Sequence, residues 1–229
     1  MENLVGIGIY SIPEASRLTG VSNATIYRWL RGYQYQSSKG KKKIDSLWSR
    51  DIPEINGENA LSFLDLLEVK FISEFRKAGV SWKFIKEAAE KAKEIFNTTH
   101  PFTTQKFRTD GRHIFSSFSE RRKKKTLDLN TAMYVFEKII EPSFYKGIEF
   151  DANQAARWFP YKKKHIVIDP QRSFGRPILK DTGIATDVIY SAFQVEGALD
   201  VVAEWYDIPI SLVKSAVDFE KGLDCEAVV

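Results

Sequence analysis

The sequence predicts a mainly α-helical protein with small β elements, built from an N-terminal helix-turn-helix, further helices and a C-terminal three-helix unit. Apolar residues recur at helical spacing in several segments, and Ser, Thr and Gly stand where those segments begin and end. The strand-like segments are short and few. The chain of 229 residues, 43% of them hydrophobic, is long enough for one large domain or two small ones.

The first pair of helices is predicted between Tyr10 and Tyr33. Ser11 is the expected N-cap of a helix that runs to about Leu18, and the glycine at position 20 permits a left-handed turn. Ser22 is the expected N-cap of the second helix. The apolar residues expected to form the small core between the helices are Ile12, Ala15, Leu18, Val21, Ile26 and Leu30.

The outer face of the second helix is polar and predicts contact with DNA. In a recognition helix, the N-terminal residues face base edges, and Arg and Tyr side chains contact bases or phosphates. The candidate residues are Ser22, Asn23, Thr25, Tyr27, Arg28 and Arg31. A compact helical hairpin without DNA binding is the alternative, but capping, turn glycine, small core and polar face together favour DNA binding.

Residues 33–48 alternate weakly around a turn at Gly40–Lys43 and predict a two-stranded basic wing. Lys41, Lys42 and Lys43 would then contact the phosphate backbone or enter the minor groove. Two further basic runs occupy residues 121–125 and 162–164. The first is expected to be a loop, with a linker or an extra phosphate contact as the alternatives. The net charge of +4 is a mild excess, and a charge run is usually a solvated surface.

Two further helices are predicted over residues 63–79 and from the cap at Ser81, the second with Ile85, Ala88, Ala89, Ala92 and Ile95 on one face. The succession of helix-turn-helix, wing and an apolar helix ending in Arg-Lys-Ala-Gly-Val-Ser resembles the MerR-type winged-helix domain over residues 8–96. This resemblance implies DNA binding. The chain departs from that family in a long segment before the third helix and in lacking a set of cysteines for metal sensing.

The middle of the chain is expected to be a connector with a small sheet. Residues 105–115 are predicted to form a hairpin around their Asp-Gly pair. A helix is expected over 127–140, and strands over 148–150 and 165–168 on either side of a turn at 157–160. Pairing of one of these strands across a dimer is an open alternative.

The C-terminal part is predicted to contain three short helices, over residues 187–195, 199–206 and 212–220. Thr186 and Ser211 are the expected caps of the first and the last. A sharp turn separates the last two helices, which predicts a homeodomain-like unit.

A series of short segments follows in a fixed order over residues 166–223: Asp169-Pro170, Gly175–Ile178, Thr182–Ile184, Thr186–Ile189, Ala203–Tyr206 and Val213–Ala216. This order resembles a small antitoxin family first known as the four-thirty-three domain of unknown function. Joined to a MerR-like N-terminus, it is similar to VapB-type antitoxins, which implies a PIN-like ribonuclease toxin as partner and repression of the operon by the N-terminal part. The candidate toxin-binding residues are Phe174, Arg176, Ile178, Asp187, Tyr190, Trp205 and Tyr206.

Catalytic and metal motifs are not evident in the sequence. The three histidines lie in unrelated segments without metal-ligand spacing, and there is no phosphate-binding loop or nucleophile elbow. Asp65 with Glu68, and Glu87 with Glu90, are expected to be solvated carboxylates on helix faces. We therefore expect a protein that is not an enzyme and holds neither cofactor nor metal. The single cysteine and the absence of a long apolar run or secretory signal predict a cytoplasmic protein outside the membrane.

These observations predict a DNA-binding domain over residues 1–120, a connector over 121–165 and a toxin-binding domain over 166–229. A homodimer is expected, because one such head recognises little DNA and operators mirror protein symmetry. The predicted function is that of an antitoxin which neutralises a toxin and represses its own operon. The alternatives are a regulator without a toxin, whose C-terminal unit dimerises or senses a ligand, and a magnesium-dependent nucleic-acid enzyme. For the C-terminal unit itself, a dimerisation domain or a second DNA-binding head is the alternative to toxin binding.

Overall fold

The computed structural model describes residues 4–37, 40–44, 46, 51–54, 57–116, 134, 137–138, 145–160 and 164–226. In these ranges the chain is mainly helical with small antiparallel sheets, as predicted. The helices are α1 (Ile12–Thr19), α2 (Asn23–Arg31), α3 (Phe63–Lys77), α4 (Trp82–Phe96), α5 (Gln105–Ser116), α6 (Thr186–Glu196), α7 (Leu199–Tyr206) and α8 (Ile210–Glu226). The strands are β1 (Tyr10–Ser11), β2 (Tyr33–Ser37), β3 (Gly40–Ile44), β4 (Ala60–Leu61), β5 (Ile148–Asp151), β6 (Gln154–Trp158), β7 (Ile166–Ile168) and β8 (Pro177–Leu179).

The first two helices form as local capping predicts. The Ser11 hydroxyl accepts the Glu14 backbone N–H, and the Glu14 carboxylate accepts the Ser11 N–H at 2.7 Å, which completes a capping box. Gly20 ends α1 with φ of 68°, a conformation that favours glycine. Ser22 stands at the N-cap of α2, but its hydroxyl donates to Thr25 Oγ1 at 2.9 Å instead of accepting a backbone N–H.

The helix pair is packed onto the rest of the chain through one continuous hydrophobic core. All six residues predicted for the small core between α1 and α2 are buried. Trp29 of α2 stacks on Trp82 of α4, with ring centroids 5.6 Å apart, and β1 pairs with β4 just before α3. The contact of Trp29 with Trp82 fixes the buried side of α2, so its opposite side faces outward.

The segment after α2 is an antiparallel hairpin of β2 and β3, as predicted. Its register pairs Ser37 with Gly40, so Lys41–Lys43 lie within the second strand. The predicted turn at Gly40–Lys43 was therefore wrong, because the two strands are separated by only two residues, the shortest common hairpin connection.

The predicted hairpin at residues 105–115 is wrong, because these residues form α5. The Thr104 hydroxyl accepts the Phe107 N–H at 3.0 Å at the start of this helix. Phe107 is fully buried, with its ring centroid 5.4 Å from that of Phe71 and 4.9 Å from that of Phe102. Aromatic packing of one helical face outweighs the turn preference of the Asp-Gly pair, which lies inside the helix.

Strands β5 to β8 form a four-stranded antiparallel sheet in chain order. The predicted turn at 157–160 is corrected, since Arg157 and Trp158 belong to β6 and the β5–β6 connection lies at 152–153. Trp158 is buried and pairs with Ile148 and Ile168, which explains its place in the sheet. Strands β5 and β6 lie in the predicted connector, whereas β7 and β8 lie in the predicted C-terminal domain, so the sheet joins the two parts.

The three C-terminal helices lie where the sequence predicts them. Thr186 is the first residue of α6 and not its cap, and its buried hydroxyl is bonded to Glu220 of α8. Helix α8 begins at Ile210, two residues before the predicted start, and continues past the predicted end. The basic run at 121–125 and most of the predicted helix at 127–140 lie outside the described residues. Among the residues that are described, no helix is both long and apolar enough to cross a membrane.

Candidate DNA-binding surface and its junction with the C-terminal helices

The outward side of α2 carries the predicted DNA-binding residues. Asn23, Tyr27 and Arg28 are exposed, whereas Ile26 and Leu30 on the opposite side are buried. Of the remaining predicted residues, Ser22 and Arg31 are exposed and Thr25 is half-buried. The structure therefore presents a continuous polar face at the first two turns of this helix.

The guanidinium of Arg28 lies along its own helix. Its Nε donates to the Ala24 carbonyl at 3.1 Å, and its Nη2 donates to Thr25 Oγ1 at 3.2 Å. Both contacts are exposed, so water competes with them and their net contribution is small. Arg28 can exchange them for a charge-assisted hydrogen bond to a phosphate or a bidentate contact to guanine.

Arg31, in contrast, is held by the segment that follows the hairpin. It donates to Glu54 at 3.0 Å and to Asn59 at 3.3 Å, and its guanidinium carbon lies 5.8 Å from the centre of the Tyr27 ring. Both members of the Arg31–Glu54 pair are about half exposed, so the pair contributes little to stability. These contacts orient Arg31 beside Tyr27 at the end of α2.

The basic strand of the hairpin follows α2 closely in the chain. Strand β2 starts directly after Gly32, and Lys41 of β3 is exposed opposite Gln36. Lys42 and Lys43 continue the same strand, paired with residues 35 and 34. A cationic strand in this position favours contact with a phosphate backbone.

The helix-turn-helix is tied to α8 by a charged contact between distant parts of the chain. Arg17 of α1 donates to Glu220 at 2.7 Å and to Asp224 at 2.8 Å. Glu220 is only 1% exposed, whereas Asp224 lies in solvent. Burial alone lowers the pKa of Arg17, but its hydrogen bonds to Asp224 and Glu220 outweigh this effect and raise it. The guanidinium therefore remains charged beside the buried carboxylate.

A second junction joins the chain before α1 to residues 175–177, the Gly-Arg-Pro segment. The Tyr10 hydroxyl donates to the Gly175 carbonyl at 2.7 Å, and the Ile9 N–H donates to the Phe174 carbonyl at 3.2 Å. Tyr10 is buried, and this burial raises the pKa of its hydroxyl. Gly175 has a φ of +83°, and a Cβ added there would lie 2.3 Å from the Tyr10 hydroxyl oxygen. Only glycine fits this close approach.

The predicted toxin-binding residues are not all on the surface. Phe174 and Trp205 are 71% and 60% exposed, and Arg176 forms an exposed ion pair with Asp187. Tyr190 and Tyr206 are half-buried against the main core. Ile178 is fully buried in β8, where it packs with Phe159 and Val167, so it offers no surface to a partner and is removed from the candidate set.

The exposed sides of α6 and α7 combine apolar and acidic residues. Val195 and Trp205 are 81% and 60% exposed. Glu196, Asp200 and Glu204 are exposed beside them in the chain. Large exposed apolar side chains often mark an interaction site, and acidic neighbours favour a basic partner.

Sequence reasoning missed a buried polar cluster behind the helix-turn-helix. Asp65 and Glu68 were expected to be solvated, but both are buried, as is His100. The expectation failed because α3 is covered on this side by the chain after α4, where the Phe102 N–H donates to Glu68 at 3.0 Å. Burial raises the pKa of Glu68 to about 8.

Comparison with known proteins agrees with the N-terminal geometry. Residues 8–89 match a family described as "Putative DNA-binding HTH domain". Over 226 residues the chain is 26% identical to "Putative antitoxin VapB45" of Mycobacterium tuberculosis strain H37Rv, with 93% of each protein covered. The crystal structure of Rv2018 from Mycobacterium tuberculosis shares the fold, with a TM-score of 0.72 and 20% identity, over 93% of this chain and 99% of that chain. The predicted helix-turn-helix is confirmed, while the MerR-like and C-terminal family resemblances stay predictions.

Proposed function

We propose that this protein is an antitoxin that binds DNA through α2 and holds a toxin through its C-terminal helices. The observation that carries the proposal is the exposed polar face of α2 within a matched DNA-binding domain. The similarity to an antitoxin extends along nearly the whole chain and not only over this domain. A toxin–antitoxin role accounts for both parts of the molecule.

In the proposed complex, α2 enters the major groove with its N-terminal end first. Asn23 and Arg28 then face base edges and phosphates, and Tyr27 lies beside them on the same exposed face. The hairpin supplies cations to the phosphate backbone through Lys41–Lys43. A homodimer would place two such heads on a palindromic operator, where bound protein represses the promoter of its own operon.

Replacing Arg28 with alanine is expected to weaken binding to a promoter fragment of the protein's own operon. The loss of one base or phosphate contact corresponds to about 1–3 kcal/mol, roughly a 5- to 150-fold increase in Kd. Fluorescence anisotropy at fixed moderate salt measures this change. Lys146→Ala removes the same charge from an exposed site outside α2 and the hairpin, and we expect it to bind nearly as well as the wild type. Wild-type affinity in the Arg28 variant would show that α2 is not the recognition helix.

The toxin is proposed to be a PIN-like ribonuclease, and its contact to include the exposed sides of α6 and α7. The VapB-type resemblance supports the identity of the partner. The exposure of Trp205 supports the exposed sides of α6 and α7 as the contact surface, because tryptophan is enriched among the residues that dominate binding energy at interfaces. Acidic residues beside it complement the basic surface expected of a protein that binds RNA.

The Trp205→Ala variant is expected to weaken a complex with the product of the neighbouring gene by about 2 kcal/mol, or roughly 30-fold in Kd. Co-expression, co-purification and titration of the two proteins measure this loss. Ile95→Ala removes a comparably exposed apolar side chain from α4 and serves as the matched control. If no stoichiometric partner is recovered while the promoter is still bound, the protein is a regulator without a toxin.

A further inference from the structure

Three polar side chains from separate segments converge behind the helix-turn-helix. Asp51 follows the hairpin, Asp65 lies in the first turn of α3, and His100 follows α4. Their carboxylate oxygens and imidazole nitrogen all lie within 4.8 Å of one another. His100 Nε2 is 3.0 Å from Asp65 Oδ1 and 3.6 Å from Asp51 Oδ2. This triad of Asp51, Asp65 and His100 is assembled only by the tertiary fold.

Other groups orient each member of the triad. The Ser62 hydroxyl donates to Asp51 Oδ2 at 2.7 Å, and the Ser62 N–H donates to Asp65 Oδ2 at 3.0 Å. His100 Nδ1 lies 3.0 Å from the Thr99 hydroxyl, which leaves Nε2 facing the two carboxylates. The bonds to Asp65 Oδ2 and His100 Nδ1 lie on atoms turned away from the cluster, as is typical of metal sites, where they set ring orientation and tautomer. Asp51 Oδ2, in contrast, accepts from Ser62 while it also faces His100.

We propose that Asp51, Asp65 and His100 bind a divalent transition-metal ion, with zinc as the best match. One imidazole nitrogen and two carboxylate oxygens are common zinc ligands, whereas Mg²⁺ and Ca²⁺ favour oxygen alone. Tetrahedral ligands about 2.1 Å from zinc lie roughly 3.4 Å apart, and the two distances from His100 Nε2 bracket that spacing. Three protein ligands leave the fourth position for water.

The electrostatics of the triad also favours a dication. Asp65 and His100 are almost fully buried, and the Asp51 side chain is one-third exposed, so an ion can enter from that side. A divalent ion carries the charge that two carboxylates balance, and the buried position of Asp65 favours a cation bound beside it.

A metal here would join three parts of the DNA-binding region. It would link the chain after β3 to the start of α3 and to the segment after α4. Bound metal stabilises the folded state by mass action, so the effect is measurable without DNA or toxin. The inference is therefore independent of the proposed function.

The test uses the full-length chain, stripped with a chelator and titrated with Zn²⁺ alone. We expect one zinc ion per chain by calorimetry and elemental analysis, and a higher Tm with zinc than without. Asp51→Asn changes the most exposed ligand and is expected to weaken zinc binding on the order of 100-fold, since even the loss of an outer-shell partner costs 10- to 100-fold. Asp110→Asn on α5 is an exposed control that should bind like the wild type.

Two results would overturn the proposal. One is the absence of zinc binding below millimolar concentration by the folded wild type. The other is equal zinc affinity in the wild type and the Asp51 variant, which would place the ion elsewhere. In either case the triad would be a structural hydrogen-bonded cluster and not a metal site.

Discussion

Substitution of Gly175 by valine is expected to destabilise the protein by about 3–5 kcal/mol, because backbone strain and a steric clash act at the same atom. The φ of +83° is unfavourable for a β-branched residue. The new Cβ would lie 2.3 Å from the Tyr10 hydroxyl oxygen and 3.1 Å from the Gly8 Cα, and the latter is backbone that cannot rotate away. Removing this clash requires the chain before α1 to separate from the Gly-Arg-Pro segment.

Urea unfolding of matched variants measures this cost. Gly222 in α8 has nothing within 4 Å of an added Cβ, so Gly222→Ala is expected to be neutral or to stabilise by up to about 1 kcal/mol. Tyr10→Phe removes the clashing oxygen together with its hydrogen bond. Combined with Gly175→Val it should cost less than the sum of the two single changes, since the two residues are in contact. Strict additivity, or a valine variant as stable as the wild type, would show that the close approach is unimportant.

Local sequence signals predicted the helix-turn-helix well. The capping box of Ser11 with Glu14, the left-handed Gly20 and the spacing of the core residues all act within one or two turns of helix. The outward face of α2 followed from the same spacing, because the residues that are not in the core must lie outside it. Short-range physics therefore sufficed for the candidate DNA-binding surface.

Errors occurred where distant packing overrides a local preference. The Asp-Gly pair at 110–111 favours a turn, yet Phe107 enters an aromatic cluster with Phe71 from α3 and makes the segment helical. Strand β6 is specified by pairing on both of its edges, which has no local signal. Its hairpin connection includes Ala152 with φ of 52°, a conformation that alanine's propensity does not predict.

The contacts of Arg31 and His100 could not be predicted from the sequence, because each joins residues that are distant in the chain. Arg31 was grouped with Arg28, but the structure pairs it with Glu54, 23 positions away. His100 meets Asp65 across 35 positions of the chain. With three histidines and many carboxylates, spacing alone cannot identify which of them converge. The packing of α3 against the chain after α4 brings Asp65 and His100 together.

The Arg17→Ala variant is expected to lose about 2–3 kcal/mol of unfolding free energy, because it leaves the carboxylate of Glu220 buried without a cation. Removing one partner of a fully buried pair costs about 3–5 kcal/mol, and the lower figure allows for the one-third exposure of Arg17. Within the part of the chain that the structure describes, the Glu220 carboxylate would keep its hydrogen bond from Thr186. For a chain of this size the loss corresponds to a decrease in Tm of about 5–10 °C.

The matched control is Asp224→Asn, which removes the exposed partner of the same guanidinium and should cost less than about 1 kcal/mol. Adding Glu220→Gln to the Arg17 variant should restore part of the stability, because a buried amide carries no charge. Equal losses in the Arg17 and Asp224 single variants would mean that exposed charges dominate this contact. A rescue by Glu220→Gln would instead show that the buried carboxylate makes Arg17 necessary, and that α1 depends on α8 for its stability.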